Sequence, residues 1–229
     1  MKIFNNLHFV TLFAALLLTG CSSSVRKRDQ QGWTVLFDGH STDAFRGFRQ
    51  GSFPSASWVV ERGALKSLPG VQVDLITRER YENFELELEW KVAREANSGI
   101  MFHVSEEEPE TYITGPEMQI VDDAHTEDGQ NPKTSAGSLY DLIAPINKKC
   151  HPAGHWNRVR LVVQGNHVEH WMNGVKILEY ELGSEHFKEL VANSKFKAWP
   201  RFAQEKTGYI ALQNHGNSVW FRNVRVRRL

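Results

Sequence analysis

The clearest structural pattern in the sequence is Phe84-Glu85-Leu86-Glu87-Leu88-Glu89-Trp90-Lys91-Val92. Apolar side chains occupy every second position, and charged side chains occupy the positions between them. Because the side chains of a strand alternate between its two faces, this pattern predicts a strand with a buried apolar face and a wet or functional outer face. Glutamate is a poor strand former, so the hydrophobic pattern outweighs local propensity here.

Further strands are predicted along the chain. Residues 156–177 contain three apolar segments separated by the tight turns Gly165-Asn166 and Asn173-Gly174, which predicts a three-strand meander. Residues 219–227 keep their apolar alternation only if a β-bulge lies near Arg222-Asn223. One helix is predicted after a Ser184 cap. Many short strands and one short helix predict an all-β fold with two antiparallel sheets, as a single domain over residues 32–229.

Composition limits the partners. The chain has 229 residues, with 27 Lys and Arg against 27 Asp and Glu, so no overall charge attracts nucleic acid. Seven tryptophans, thirteen phenylalanines and five tyrosines are enough to fill a core and to stack on a ligand such as a carbohydrate. Nucleotide-binding loops and the serine-hydrolase elbow are missing from the sequence, so we expect no nucleotide cofactor. Nothing in the composition indicates the oligomeric state.

The amino-terminal segment predicts export and a lipid anchor. Residues 1–20 have the short apolar run of a secretory signal peptide, and Leu18-Thr19-Gly20-Cys21 resembles a bacterial lipobox. Cys21 is then the lipidated first residue of the mature protein, and residues 21–31 form a flexible tether. The alternative is a signal peptide without lipidation. Ser22 after the cysteine is compatible with the periplasmic side of the outer membrane, so we expect a cell-envelope protein whose partner is the membrane.

Polar side chains on the non-core faces of predicted strands are the candidate site. In Gly115–Asp123, Glu117, Gln119 and Asp123 alternate with Met118 and Ile120. One reading is a solvated face, and the other is a binding or catalytic face.

Two other segments add candidates. In residues 208–216, Gln213 and His215 lie opposite the core-facing positions. After a predicted turn at Asn97-Ser98-Gly99, Val104 is expected to face the core and His103 the opposite side. Tyr140, beyond the long polar loop 124–136, is expected to lean over the site. If these strands are neighbours, the side chains meet in one cleft on a concave sheet.

The spacing of the acids argues against an ordinary glycosidase. Such enzymes need two carboxyl groups about 5 to 9.5 Å apart. On the face of Glu117, the next acid in phase is Asp123, roughly 20 Å along an extended strand. A second acid from Glu87 or Glu89 is the alternative. A divalent metal is compatible with Glu117 and His215 as ligands, although the sequence lacks a Cys-x-x-Cys spacing.

Ten short motifs occur in an order that resembles the 3-keto-disaccharide hydrolase domain family, over about residues 32 to 229. They are Leu36-Phe37-Asp38-Gly39, Trp58-x-Val60-x-x-Gly63-x-Leu65, Tyr81-x-x-Phe84-Glu85-Leu86, Asn97-Ser98-Gly99-Ile100, Glu117-x-Gln119-Ile120-x-Asp122-Asp123, Gly137-x-Leu139-Tyr140, Trp156-Asn157, Asn173-Gly174, Leu212-Gln213-x-His215-Gly216 and Val219-x-Phe221-Arg222-Asn223-Val224. The chain departs from the family at His103, where the family often has arginine.

The resemblance implies a concanavalin A-like jelly roll, similar to laminarinases, and hydrolysis of 3-keto-glycosides. A ketone at C3 acidifies the C2 proton, so one base can start elimination of the C1 substituent, after which water adds. Either Glu117 or His215 is the base and the other the acid, while Gln119, Gln213, His103, Asp123 and Tyr140 contact substrate. The alternative is a lipid-anchored carbohydrate-binding module that does not catalyse.

Overall fold

The structure is a computed structural model that describes residues 31–229 together with Met1 and Asp29. The predicted signal peptide (residues 1–20), Cys21 and nearly all of the predicted tether lie outside the described residues and stay predictions. Among the residues described, no helix has the length and apolar character needed to cross a bilayer.

The described chain is built almost entirely from strands. In order, they are β1 (Thr34–Phe37), β2 (Phe45–Gly47), β3 (Trp58–Glu61), β4 (Ala64–Ser67), β5 (Leu75–Thr77), β6 (Phe84–Val92), β7 (Asn97–Val104), β8 (Glu117–Val121), β9 (Asn157–Gln164), β10 (His167–Met172), β11 (Val175–Glu181), β12 (Tyr209–Leu212) and β13 (Val219–Arg228). The helices are α1 (Glu127–Gln130) and α2 (Glu185–Ala192), with 3-10 helices at Thr111–Ile113 and Lys195–Ala198.

Two antiparallel sheets share one apolar core. The 8-stranded sheet has the order β11-β10-β9-β6-β13-β4-β3, with β1 paired to β13, and the 5-stranded sheet has the order β2-β5-β12-β7-β8. Leu86 and Trp90 from the larger sheet are buried in the same cluster as Ile100, Met118 and Leu212 from the smaller sheet. The predicted two-sheet antiparallel sandwich is therefore confirmed.

The alternation of β6 is confirmed, and its charged face is the outer face of the larger sheet. Glu85 pairs with Arg160 and Arg227 from the neighbouring strands, and Glu87 pairs with Arg158. These cross-strand pairs explain how a strand tolerates glutamate at alternate positions.

The two turns predicted within residues 156–177, the predicted bulge and the predicted helix are also present. Asn173 and Gly174 both have positive φ values, 48° and 83°, as a type I′ turn requires. The register of β13 against β6 shifts between Arg222 and Arg225, which restores the apolar phase. The Ser184 hydroxyl accepts a hydrogen bond from the Phe187 backbone and caps α2.

Strand β7 differs from its prediction in two places. Asn97, Ser98 and Gly99 are not a turn, because they pair with β8 as the first residues of β7. Near the other end, His103 has a φ of 53° and the register against β12 shifts, which is a β-bulge. Beyond the bulge, Val104 packs with Met101 on the outer side of the smaller sheet instead of facing the main core.

A buried histidine connects the meander to β8. His170 has an exposure of 0%, its Nδ1 donates to the Gly137 carbonyl at 3.0 Å, and the Tyr180 hydroxyl donates to its Nε2 at 3.3 Å. Gly137 in turn donates its backbone NH to Gln119 at 2.8 Å. Burial lowers the pKa of His170 to about 4, so the imidazole is neutral at pH 7.

Because His170 binds a proton more weakly when folded than when unfolded, its contribution to stability is complete above its ordinary pKa of 6.5 and is lost as the pH falls toward 4. This loss is about 3 kcal/mol. In the His170→Asn variant, whose amide can still donate to Gly137, we expect a smaller loss between pH 7 and pH 4.5, measured by urea unfolding. His155→Asn, at an exposed position, is the control, and equal losses in all three proteins would contradict the assignment.

Candidate active site

A cavity of about 380 Å³ lies on the outer side of the smaller sheet, and we call it the Glu117 cavity. Strand β8 and the residues that follow β12 form one wall. The two 3-10 helices and the loop between β8 and β9 form the others. The residues that line it are Asn97, Tyr112, Glu117, Gln119, Asp128, Tyr140, Lys195, Phe196, Trp199, Gln213 and His215. Five of the side chains predicted for the site, those of Glu117, Gln119, Tyr140, Gln213 and His215, therefore lie together.

The Glu117 side chain lies against bare backbone. Glu117 faces the cavity because Met118 and Ile120, its neighbours on β8, point into the core. A Cβ on Gly99 of the adjacent strand β7 would overlap Glu117 Oε1 and lie 2.6 Å from its carboxyl carbon. The space that holds this carboxyl exists only because residue 99 has no side chain.

Burial changes the protonation of Glu117. The residue is 8% exposed, and no hydrogen bond or ion pair from the described residues reaches its carboxyl. Burial, with smaller contributions from the charges of Asp74 and Asp128, raises its pKa to about 8, although Lys195 acts in the opposite direction. Glu117 is thus mainly protonated at neutral pH and can donate a proton.

Gln119 presents an unpaired donor at the same wall. Its Oε1 accepts a hydrogen bond from the Ile120 backbone NH at 3.2 Å, which fixes the orientation of the amide. Its Nε2 is buried and has no partner among the described residues. A buried amide NH₂ without a partner is costly, so a substrate oxygen that accepts from it gains a strong hydrogen bond.

Gln213 and His215 reach the cavity from the end of β12. The Gln213 backbone NH donates to the Gly99 carbonyl at 2.9 Å, which continues the pairing of β12 with β7 beyond the last strand residue. Asn214 points inward and donates to the carbonyls of Ser57 and Leu68. His215 consequently lies on the exposed side of this turn.

The loop after β8 supplies a second carboxyl group that the sequence analysis missed. Asp128 of α1 accepts hydrogen bonds from Asn97 Nδ2 at 2.8 Å and from the Tyr140 hydroxyl at 3.3 Å. Thr126 caps α1 by accepting from the Gly129 backbone. The capping threonine followed by two acids is the sequence signal for this helical turn, within a polar loop expected only to be long.

Aromatic rings and one cation complete the cavity, and sequence patterns did not identify them. The Tyr112 and Trp199 rings lie 5.3 Å apart, and Trp199 lies 5.5 Å from Phe196. The Lys195 ammonium lies 4.2 Å from the centre of the Tyr140 ring. An aromatic wall opposite amides, an acid and a histidine suits a sugar, which has both apolar and hydroxyl-bearing faces.

Two residues predicted to contact substrate lie outside the Glu117 cavity. The β-bulge turns His103 toward Phe84 and Phe102, and its Nε2 lies 2.9 Å from the Glu82 carbonyl, so it does not line the cavity. Asp123 lies beyond the end of β8, where strand alternation no longer applies. Its carboxylate accepts from the Ala136 backbone at 2.8 Å and pairs with Lys148 at 2.8 Å, which holds the loop together.

Another cavity of about 380 Å³ lies on the outer face of the larger sheet. Its two glutamates are in ion pairs, Glu87 with Arg158 and Arg225, and Glu89 with Arg222. The alternative that Glu87 or Glu89 supplies a second acid to Glu117 is therefore wrong, because they lie on the opposite sheet.

Among the described residues, the group close enough to hold a metal ion is His167, Glu169 and Glu179, with ligand atoms within 4.8 Å of one another. It lies away from the Glu117 cavity, and Lys176 pairs with both of its acids. Glu117 and His215 belong to no such group, and a metal ion bound by them stays a prediction from the sequence.

The fold is a two-sheet antiparallel sandwich of the concanavalin A-like jelly-roll class, with the Glu117 cavity on the outer side of its smaller sheet. A structure of a non-specific endo-beta-1,3(4)-glucanase from family GH16 matches with a TM-score of 0.51 at 10% identity, over 88% of this chain and 93% of its own. At that identity the likeness concerns the fold alone.

The chain belongs to the 3-keto-alpha-glucoside-1,2-lyase-like domain family, which matches residues 32–227. A 3-keto-disaccharide hydrolase of Bacteroides thetaiotaomicron is 33% identical over 234 residues, 88% of this chain and 80% of the relative. A protein of Parabacteroides distasonis, provisionally described as a glycosyl hydrolase, has a crystal structure with a TM-score of 0.81 and 32% identity, over 87% of this chain and 94% of its own. The family resemblance found in the sequence is confirmed.

The raised pKa of Glu117 predicts a pH-dependent stability. The folded protein binds this proton more tightly than the unfolded chain, so the stability it contributes is present below its usual pKa of 4.5 and is lost as the pH rises through about 8. The Glu117→Gln variant stays neutral and should be more stable than the wild type at pH 9, by on the order of a few kcal/mol, but not at pH 4.

Denaturant unfolding of both proteins at the two pH values measures this difference. Glu82→Gln, at an exposed position, is the control. A Glu117→Gln variant with the same pH dependence as the wild type would show that the carboxyl is not desolvated.

Proposed function

We propose that this chain hydrolyses 3-keto-glycosides in the Glu117 cavity by eliminating the C1 substituent and then adding water. The observation that carries the proposal is the protonated, buried Glu117 in one cavity with His215 and the unpaired Gln119 amide. The family and the name of the Bacteroides relative support a 3-keto sugar as the substrate.

The reaction needs one base, one acid and one donor to an oxyanion. The base removes the C2 proton, and the C–H electron pair forms an enolate whose charge rests on the C3 oxygen. That electron pair then forms a C1–C2 double bond as the C1–O bond breaks, and the leaving oxygen takes a proton from the acid. Water adds at C1 and C2 regains a proton, so the net change is hydrolysis.

The structure favours one of the two assignments that the sequence left open. A carboxyl whose pKa is about 8 carries its proton at neutral pH, so Glu117 acts as the acid that protonates the leaving oxygen. His215 is exposed at the edge of the cavity, and a neutral imidazole nitrogen can accept a proton. His215 therefore acts as the base at C2.

Gln119 is the donor for the enolate oxygen. Its NH₂ has no partner among the described residues, and its orientation is fixed by the Ile120 backbone. A donor that is already oriented stabilises charge without reorganisation when the charge develops. Gln213 and Asn97 line the same cavity and would orient sugar hydroxyls.

Asp128 is a second carboxyl group in the Glu117 cavity, so ordinary two-carboxylate hydrolysis is an alternative chemistry. Both of its oxygens accept hydrogen bonds, from Asn97 and Tyr140, so it serves first as an anchor for the cavity wall. The two chemistries differ in substrate, because only elimination requires the C3 ketone.

The alternative of binding without catalysis predicts saccharide binding and no bond cleavage.

We expect the wild type to release 4-nitrophenol from 4-nitrophenyl 3-keto-glucoside and to leave the unoxidised glucoside intact. On a 3-keto-disaccharide, whose leaving sugar oxygen needs a proton, Glu117→Gln and His215→Gln should each lower kcat by roughly 100- to 10,000-fold, because each removes a proton-transfer group. The wild-type rate on the disaccharide should fall as the pH rises through about 8, where Glu117 loses its proton. Absorbance of the released phenol measures the substrate preference, and release of free sugar from the disaccharide measures the other two effects.

Glu82→Gln is the control and should keep full activity. Undiminished turnover of the disaccharide by Glu117→Gln would refute its role as the acid. Cleavage of the unoxidised glucoside would instead indicate two-carboxylate hydrolysis, and binding without release would indicate a carbohydrate-binding module.

A further inference from the structure

Asp74 does not line the Glu117 cavity, but it joins two segments that do. It directly precedes β5, and its Oδ1 accepts from the Asn214 backbone NH at 2.8 Å. Its Oδ2 accepts from the Thr111 hydroxyl at 2.5 Å. Burial raises the pKa of Asp74 above its usual value, and the two donated hydrogen bonds act in the opposite direction.

Each of these contacts lies next to a residue of the cavity. Thr111 precedes Tyr112, which belongs to the aromatic wall, and Asn214 lies between Gln213 and His215. One side chain thus sets the spacing between the aromatic wall and the proposed base. The Asp74 backbone carbonyl also accepts from the Phe48 NH at 2.9 Å, which fixes Asp74 to the smaller sheet.

The charge of Asp74 acts on the acid of the cavity. After burial, Asp74 makes the largest contribution to the raised pKa of Glu117, and Asp128 adds to it. The Lys195 cation acts in the opposite direction. Tyr112, Tyr140 and His215 are the other titratable groups that line the cavity.

We propose that Asp74 is a positioning residue: by joining the Thr111 and Asn214 segments it holds Tyr112 and His215 in place around the Glu117 cavity. This inference rests on the proposed function for its catalytic consequence. Asp74 takes no part in proton transfer to the substrate. Its carboxylate oxygens are occupied by Thr111 and Asn214.

Three variants separate the charge from the contacts. Asp74→Asn keeps an acceptor for the Asn214 backbone and a polar partner for Thr111 but removes the charge. Asp74→Ala removes both. Glu110→Gln removes an exposed carboxylate in the same loop as Thr111, one whose charge also acts on Asp74, and is the matched control.

The direct readout is the titration of the Glu117 carboxyl by carbon-13 NMR, with the resonance assigned by its loss in Glu117→Gln. We expect the pKa of Glu117 to fall by roughly one unit in Asp74→Asn and to stay unchanged in Glu110→Gln. The high-pH limb of kcat/KM on the 3-keto-disaccharide should move down by the same amount. Asp74→Ala should in addition lower kcat by about 10- to 100-fold, because His215 and Tyr112 lose their anchor.

A folded Asp74→Ala variant with the wild-type kcat and an unchanged Glu117 titration would overturn the proposal. Wild-type protein that does not cleave the 3-keto-glucoside contradicts the proposed function instead, and the carbon-13 titration still decides the effect of Asp74 on Glu117. Circular dichroism confirms that each variant is folded before it is titrated.

Discussion

The burial of one carboxyl group against the bare backbone of Gly99 is the constraint on which the site depends. Glu117 can lie there only because β7 and β8 are paired with glycine opposite Gln119, and because β12 continues that sheet on the other side of β7. In this position the carboxyl is desolvated, and no described residue forms a hydrogen bond or ion pair with it. It therefore holds a proton at a pH where surface glutamates are ionised.

This arrangement lowers the stability of the free protein and provides polar groups that can act on a substrate. A buried acid without a partner and a buried amide without an acceptor, Gln119, are both unfavourable in the free protein. The surrounding sandwich compensates through a continuous core and through fixed polar contacts such as His170 with Gly137. Buried polar groups without partners are typical of functional sites, because a substrate that forms hydrogen bonds with them restores the interactions that the free protein lacks.

Strand periodicity predicted the parts of this site that lie on regular strands. The alternation of residues 84–92 and of Gly115–Asp123 placed the core and put Glu117 and Gln119 on the open face, and the same reasoning placed Gln213 and His215. It failed at His103, because a single residue with positive φ reverses the faces beyond it. It could not find Asp128, Lys195 or Trp199, because their positions depend on loops and 3-10 helices that fold back over the sheet.

Removal of the C2 proton of a 3-keto sugar is the step that distinguishes elimination from two-carboxylate hydrolysis. A 3-keto sugar that carries hydrogen in place of the C1 substituent cannot undergo elimination, so only the first step remains available to it. In deuterated water, proton NMR should show exchange at C2 that requires the wild-type protein and is abolished in His215→Gln, while Glu117→Gln, which lacks only the acid for the leaving oxygen, retains most of it. Absence of exchange with the wild type, together with cleavage of unoxidised glycosides, would contradict this account.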